Sequence, residues 1–164
     1  MTFLFLKYTL FFHGGGWVYG NFPCDFMCRR IAKQSNSLVI SVLYKLAPQF
    51  KYPIALEDCF DSLIWVNENA INLNANPQNI IFTGDSAGGN LATFLCLLTR
   101  DKKDIFIDKQ INQPINLLIL IYPVLDGTQS QPSMQFTDAP VITKESMQFF
   151  INSYAQNDSD IYQP

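Results

Sequence analysis

The sequence has few charges and no concentration of positive ones. Of its 164 residues 15% are charged, the formal net charge is −3, and the lysines and arginines form no cluster. Proteins that bind nucleic acid or an anionic membrane surface present a basic patch. Neither partner is therefore expected for this chain.

Histidine and cysteine are scarce as well. His13 is the only histidine, and Cys24, Cys28, Cys59 and Cys96 contain no C-x-x-C pair and have no histidine near enough to complete a metal site. Metal sites made of cysteine and histidine need ligands paired at short spacing. The sequence therefore predicts reduced, partly buried thiols and no metal site.

Long apolar runs are also missing. The opening stretch, MTFLFLKYTLFF, is too short to cross a bilayer as a helix and is interrupted by Lys7. No small-residue cleavage site follows it, so it does not have the pattern of a signal peptide. We interpret it as leading into a buried strand, and we expect a cytoplasmic protein without a membrane span.

What the sequence does contain is an alternation of apolar runs and helical patterns. The strand candidates are Tyr8–His13, Ser37–Tyr44, Asn79–Ser86 and Asn116–Asp126, and the helix candidates are Asp25–Ser35, Ile54–Leu73, Ala87–Thr99 and Lys144–Tyr154. This alternation predicts a parallel α/β sheet with right-handed crossovers. The polar stretch 100–114 is expected to be a surface loop. Without a repeat or a linker, residues 1–164 are predicted to form a single domain.

One serine stands among small residues in the segment FTGDSAGGNLATF, residues 82–94. Residues 84–88 fit the pattern G-x-S-x-G between a strand and a helix. Glycines on both sides of Ser86 remove side chains that would collide where the strand and the helix cross. The pattern predicts a strained turn that exposes the Ser86 hydroxyl, with the Ala87 N–H and the helix N-terminus facing any developing negative charge. The alternative is a tight turn with an incidental serine.

A second glycine cluster, HGGGW at residues 13–17, follows the first strand candidate. Consecutive glycines let backbone amides approach a substrate, and such amides stabilise the oxyanion formed when an ester is attacked. We therefore expect Gly14 and Gly15 to donate to the oxyanion together with Ala87. A flexible loop is the simpler alternative. A phosphate-binding loop is disfavoured, because the Lys-Ser/Thr ending and the G-x-G-x-x-G spacing are both missing.

Together these motifs resemble the hormone-sensitive-lipase-like branch of the α/β-hydrolase esterases. The matching segments occur in family order over most of residues 8–126: HGGGWVYGN, DFMCRRIA, SVLYKLAP, YPIALEDCFDSLIWV, NPQNIIFTGDSAGGNLA and LILIYPVLD. The resemblance implies the central part of an α/β-hydrolase fold, with a mostly parallel sheet flanked by helices and without the outer strands. It also implies a carboxylic ester hydrolase, esterase-like or lipase-like, whose partner is a small-molecule ester.

The resemblance further implies a role for each matching residue. Ser86 corresponds to the nucleophile, Gly14, Gly15 and Ala87 to the oxyanion hole, and His13 to a histidine that anchors the loop. The remaining motif residues are read as structural: Gly16, Gly84, Asp85 and Gly88. No metal or organic cofactor is implied, because serine chemistry with backbone donors needs none.

Two members of the expected catalytic triad cannot be assigned. A serine needs a base to take its proton, and in this family the acid and the histidine follow the serine in chain order. His13 precedes Ser86, and none of the later candidates stands in the family's motif for the acid: Asp126, Asp138, Asp158 and Asp160. Because family members are considerably longer, we expect a truncated member with little or no turnover. The alternatives are a non-catalytic small-molecule binder of the same fold and a non-functional gene fragment.

Overall fold

Four strands and four helices alternate along the part of the chain that the computed structural model describes, which comprises residues 6–20, 25–101, 115–132, 140–157 and 159–160. The strands are β1 (Leu6–Phe12), β2 (Ser37–Val42), β3 (Ala75–Asp85) and β4 (Leu117–Ile121). The helices are α1 (Asp25–Ser35), α2 (Ile54–Asn69), α3 (Ala87–Asp101) and α4 (Lys144–Tyr154).

The four strands form one parallel sheet in the order β2-β1-β3-β4. At its carboxyl edge, Phe12 at the end of β1 is in register with Val42 of β2 and with Gly84 of β3. Parallel strands bring the loops that follow them to a common edge. The predicted parallel α/β sheet is thus confirmed, and the segments that follow β1 and β3 begin side by side.

The central strand β1 is the most deeply buried part of the sheet. Tyr8, Leu10, Phe11 and Phe12 are fully buried, which means that both faces of β1 are covered. A continuous apolar run is the pattern of such a strand. The apolar run of the fourth strand predicts a buried strand as well, but this prediction is wrong in part, because Leu117 and Ile119 of β4 are about half exposed. β4 is the last strand of the described sheet, with a described neighbour on only one side.

The predicted helices agree with the structure apart from some of their ends. α1 and α4 have the predicted bounds, whereas α2 ends at Asn69 rather than at residue 73. Threonine directly before the helical pattern predicts an N-cap at Thr143, and the structure confirms it: the Thr143 side chain accepts from the Ser146 N–H at 3.2 Å, and the Ser146 hydroxyl accepts from the Thr143 N–H at 2.9 Å. The predicted loop at 100–114 falls mostly outside the described residues. Of the helices that are described, none has the length and apolar character needed to cross a bilayer.

Candidate active site

Ser86 occupies a strained turn between β3 and α3. Its φ is 51°, in the left-handed region that non-glycine residues rarely adopt. Three backbone hydrogen bonds fix this conformation. The Ser86 N–H donates to the Ile121 carbonyl at 2.9 Å, and the Ser86 carbonyl accepts from the N–H groups of Asn90 and Val124, each at 3.2 Å. A turn of this kind is what the G-x-S-x-G pattern predicts.

The flanking glycines let this turn pack directly on the end of β1. A Cβ at Gly84 would overlap the Gly88 carbonyl oxygen and would lie 2.7 Å from the Phe12 carbonyl oxygen. A Cβ at Gly88 would lie 2.6 Å from the His13 carbonyl oxygen. Because the atoms that meet in these contacts belong to the backbone, there is no room for a side chain at Gly84 or Gly88. The two glycine clusters of the sequence are therefore in contact with each other.

The glycine loop after β1 has an unusual backbone conformation. Gly15, Gly16 and Trp17 follow one another with φ values of 109°, 60° and 59°. Glycine adopts such values without strain, but tryptophan does not. Backbone hydrogen bonds hold the turn: the Gly15 carbonyl accepts from the Val18 and Tyr19 N–H groups at 3.1 and 2.9 Å. The loop is therefore a hydrogen-bonded turn.

Asp85 joins this loop to the serine turn. Its Oδ1 accepts a hydrogen bond from the Gly14 N–H at 2.9 Å. The prediction that Gly14 donates to an oxyanion conflicts with this bond, because the N–H is already used by the carboxylate. By contrast, the N–H groups of Gly15, Gly16 and Ala87 have no acceptor in the described part of the chain. These three amides remain available as donors.

His13 is a buried structural side chain. Its Nδ1 lies 2.7 Å from the Gly14 carbonyl oxygen, which can only accept, so Nδ1 carries the proton. The ring stacks on Tyr44 with centroids 4.2 Å apart, and the Tyr44 hydroxyl donates to the His13 carbonyl at 2.6 Å. Burial lowers the pKa of His13, although the hydrogen bond to Gly14 and the charge of Asp85 partly oppose that shift. The neutral ring therefore serves to hold the loop in place.

The two candidates for the triad acid that the structure describes, Asp126 and Asp160, accept hydrogen bonds within their own segments. The Asp126 carboxylate accepts from the Thr128 N–H at 2.8 Å and from the Gln131 side chain at 2.7 Å, and its contacts with the Thr128 side chain and backbone lower its pKa to about 2. Asp160 accepts from the N–H groups of Gln156 and Asn157, both at 2.9 Å. The candidates at 138 and 158 lie outside the described residues.

The cysteines that the structure describes are not part of the site. Cys59 is buried and Cys96 is half-buried, and burial raises the pKa of both thiols. Cys24 lies outside the described residues. Among the residues that the structure places, no group of three or more histidine, cysteine, aspartate or glutamate side chains is arranged to hold a metal ion.

Helix α4 packs against the glycine loop, a contact that sequence reasoning missed. The Phe150 ring lies directly against Gly16, and Tyr19 meets the same ring edge-on with centroids 5.9 Å apart. One turn further along α4, Tyr154 stacks on Trp17 with centroids 4.7 Å apart. Aromatic residues four positions apart lie on one helix face, and this spacing in the sequence could have indicated a packing surface.

Comparison with known proteins places this arrangement in a family. The family profile of the alpha/beta hydrolase fold matches residues 9–164. The chain is 34% identical over 151 residues to the carboxylesterase NlhH of Mycobacterium tuberculosis, covering 91% of this chain and 45% of that protein. It is 32% identical over 157 residues to an ethyl acetate hydrolase of Pseudomonas putida, covering 94% and 47%. A hyperthermophilic esterase from the archaeon Pyrobaculum calidifontis has a TM-score of 0.84 at 32% identity, covering 97% of this chain and 50% of that chain.

The chain belongs to the α/β-hydrolase fold family, and the resemblance inferred from its motifs is confirmed. The matched relatives named here are carboxylesterases and related ester hydrolases. The chain spans about half the length of these relatives.

Proposed function

We propose that this chain carries the nucleophile and the oxyanion hole of a carboxylic ester hydrolase. One observation supports this proposal above all. Ser86 is held at a φ of 51° at the start of α3, and the glycine loop that follows β1 packs against the same turn. Backbone strain at a residue of this kind is retained where it serves a function. The family relationship gives the same expectation for the type of reaction.

In the proposed reaction the Ser86 Oγ attacks the carbonyl carbon of the ester while a base removes its proton. The carbonyl π electrons move to oxygen and form an oxyanion, which the N–H groups of Gly15, Gly16 and Ala87 stabilise. Gly16 takes the place first expected for Gly14, whose N–H is bound to Asp85. When the tetrahedral intermediate collapses, the alcohol takes up a proton and leaves, and the acyl group stays on Ser86. Water then releases the carboxylic acid.

Removal of the Ser86 proton is the step of this reaction for which the described part of the chain places no base. His13 is held in its loop, since its Nδ1 donates to the Gly14 carbonyl and its ring stacks on Tyr44, and its Nε2 is buried without a hydrogen-bond partner in the described part of the chain. A base must lie within hydrogen-bond reach of the proton that it takes, and His13 would have to leave its loop to do so. We therefore propose that the isolated chain hydrolyses esters slowly, at the residual rate that binding and an oxyanion hole alone can supply.

A fluorophosphonate probe tests this proposal, because it reacts with an activated serine by losing fluoride. We expect slow labelling of the folded chain at Ser86 and faster labelling when imidazole supplies a base from solution. Ser86→Ala should abolish the label, whereas Ser62→Ala, a serine on α2 whose hydroxyl donates to the Asp58 carbonyl, should leave it unchanged. Labelling that persists in Ser86→Ala, or that imidazole does not accelerate, would contradict the proposal.

A further inference from the structure

The glycine loop is attached to other elements at its two ends. At one end the Gly14 N–H donates to Asp85 at 2.9 Å, and at the other the Trp17 carbonyl accepts from the Ala47 N–H at 2.8 Å. Gly16 lies between these bonds, and neither its N–H nor its carbonyl has a hydrogen-bond partner in the described part of the chain. The direction of the Gly16 N–H is therefore not fixed by a hydrogen bond of its own.

The Phe150 ring of α4 fills the space beside the Gly16 Cα. A Cβ at Gly16 would overlap Cγ and Cδ1 of the ring and would lie 2.7 Å from its Cδ2. The ring also meets Tyr19 edge-on, with centroids 5.9 Å apart, so it contacts the loop both before and after Trp17 in the chain. Gly16 is thus confined by packing at its Cα, which leaves its N–H free to donate.

Helix α4 is in turn attached to the segment that precedes α2. The Tyr154 carbonyl accepts from the Tyr52 N–H at 2.8 Å, and the Lys51 Nζ donates to the Ala155 carbonyl at 3.0 Å. Hydrogen bonds and a cation at the C-terminal end of a helix stabilise that end. Phe150 lies one turn before Tyr154, so its ring is presented to Gly16 from an anchored helix.

The backbone that follows Gly16 is strained. The Trp17 φ is 59°, a value that a non-glycine residue retains only where its surroundings hold it. The stacking of Tyr154 holds the Trp17 side chain, whereas the Phe150 ring closes the space into which Gly16 would rotate. If that space were open, the strain at Trp17 would relax through Gly16, and the Gly16 N–H would turn with the backbone.

We propose that Phe150 is a positioning residue of the site: its ring holds Gly16 in the backbone conformation that directs the Gly16 N–H toward the oxyanion. The inference rests on the proposed function, because it takes the Gly16 N–H as a donor. Phe150 acts on the reaction only through Gly16. Removal of the ring should therefore weaken stabilisation of the oxyanion and leave binding of the substrate unchanged.

Labelling of Ser86 by a fluorophosphonate in the presence of imidazole tests this role, because the phosphonyl oxygen gains negative charge during the attack. Rates at several probe concentrations separate the maximum labelling rate from the concentration that gives half of it. Loss of an oxyanion donor slows catalysis about 10²–10³-fold, so a donor that points away part of the time should lower the maximum rate of Phe150→Ala about tenfold. The half-maximal concentration should not change, since oxyanion donors act in the transition state.

Phe149→Ala is the matched control. Phe149 precedes Phe150 on α4 and is about half exposed, and the atoms nearest to a Cβ at Gly16 all belong to the Phe150 ring. This variant should label at the parent rate, as should Phe150→Tyr, which keeps a ring against Gly16. Phe150→Leu keeps the apolar volume without the ring and should lose rate as Phe150→Ala does, so it carries the test if Phe150→Ala does not fold. Circular dichroism checks each variant.

A second measurement follows the loop without any chemistry. The chain has eight glycines, so selective ¹⁵N-glycine labelling gives a simple amide spectrum, and ¹⁵N relaxation gives the order parameter of each N–H. At Gly16 we expect about 0.85 in the parent chain, the value of a rigid backbone, and less than about 0.6 in Phe150→Ala. The order parameters of Gly84 and Gly88 in the serine turn should not change.

The outcomes separate this inference from the proposed function. An order parameter of Gly16 that stays at the parent value in Phe150→Ala, or a maximum labelling rate that this change leaves unaltered, would overturn the positioning role. Equal losses in Phe149→Ala would overturn it as well. If the parent chain is not labelled at Ser86 at all, the proposed function fails, whereas a loss of order at Gly16 in Phe150→Ala alone still supports the role of Phe150 in holding the loop.

Discussion

Replacing Gly88 with alanine should force apart the two loops of the site. Gly88 is the second residue of α3, and an added Cβ would lie 2.5 Å from the Phe12 carbonyl carbon and 2.6 Å from the His13 carbonyl oxygen. Both atoms belong to the backbone at the end of β1, which is paired with strands on either side. They cannot move without disturbing that pairing, so the strain cannot be relieved by a side-chain rotation.

The expected loss of stability can be estimated from two opposing terms. In a helix, alanine is favoured over glycine by about 0.8–1 kcal/mol. Overpacking of a rigid site costs about 1–3 kcal/mol and occasionally more, and contact with backbone belongs at the upper end of that range. We expect the free energy of unfolding to fall by about 2 kcal/mol. With a urea m-value of about 2 kcal/mol/M, the midpoint should fall by about 1 M.

Gly89→Ala provides the matched control. It is the same substitution one residue further along α3, but the nearest atom to its Cβ is the Pro123 side chain, at 2.8 Å. The overlap is smaller, and we expect a loss of about 1 kcal/mol or less. Urea unfolding followed by circular dichroism gives both values. Our account of how α3 packs on β1 would be refuted if Gly88→Ala were as stable as the parent chain or more stable than Gly89→Ala.

Two further predictions concern the surroundings of the site. Burial lowers the pKa of His13, so the unfolded chain binds a proton at this side chain more readily than the folded chain does. The free energy of unfolding should therefore fall as the pH drops below about 6.5, by at most about 1.4 kcal/mol per pH unit. His13→Gln should remove this part of the slope between pH 7.5 and 5.5 in urea unfolding, and an unchanged slope would contradict the assignment. Asp58 accepts from both the side chain and the backbone N–H of Lys45, at 2.6 and 2.8 Å. Lys45→Met should therefore leave the urea midpoint nearly unchanged, because the exposed ion pair contributes little, whereas Asp58→Ala should lower it; equal effects would show that the backbone bond contributes nothing.

The elements of the fold could be predicted wherever a local pattern determines them. The bounds of α1 and α4 agree with the structure, since apolar spacing and the Thr143 cap are properties of neighbouring residues. The burial of β4 could not be predicted in the same way. An apolar run indicates a strand that can be buried, but exposure depends on what covers it, and Leu117 and Ile119 are about half exposed in the described sheet.

The same distinction holds for the site. The turn at Ser86 follows from residues 84–88, because glycines on both sides of a serine between a strand and a helix leave few conformations open. The use of the Gly14 N–H by Asp85 does not follow from local sequence, since the two residues are 71 positions apart. The stacking of Tyr44 on His13 likewise joins residues that are distant in sequence, 31 positions apart. That the Gly14 N–H is already bound could therefore be learned only from the structure.

Asp85 connects the two parts of the site, which are the serine turn and the glycine loop. It lies between Gly84 and Ser86 in the chain, and it holds the Gly14 N–H through a charged acceptor, which makes a stronger hydrogen bond than a neutral one. This hydrogen bond connects the serine turn to the glycine loop, and under the proposed function it keeps the nucleophile and the oxyanion donors together. The second position of G-x-S-x-G is usually free to vary, whereas the proposed function gives the residue at this position, Asp85, the role of positioning the loop that would stabilise the oxyanion.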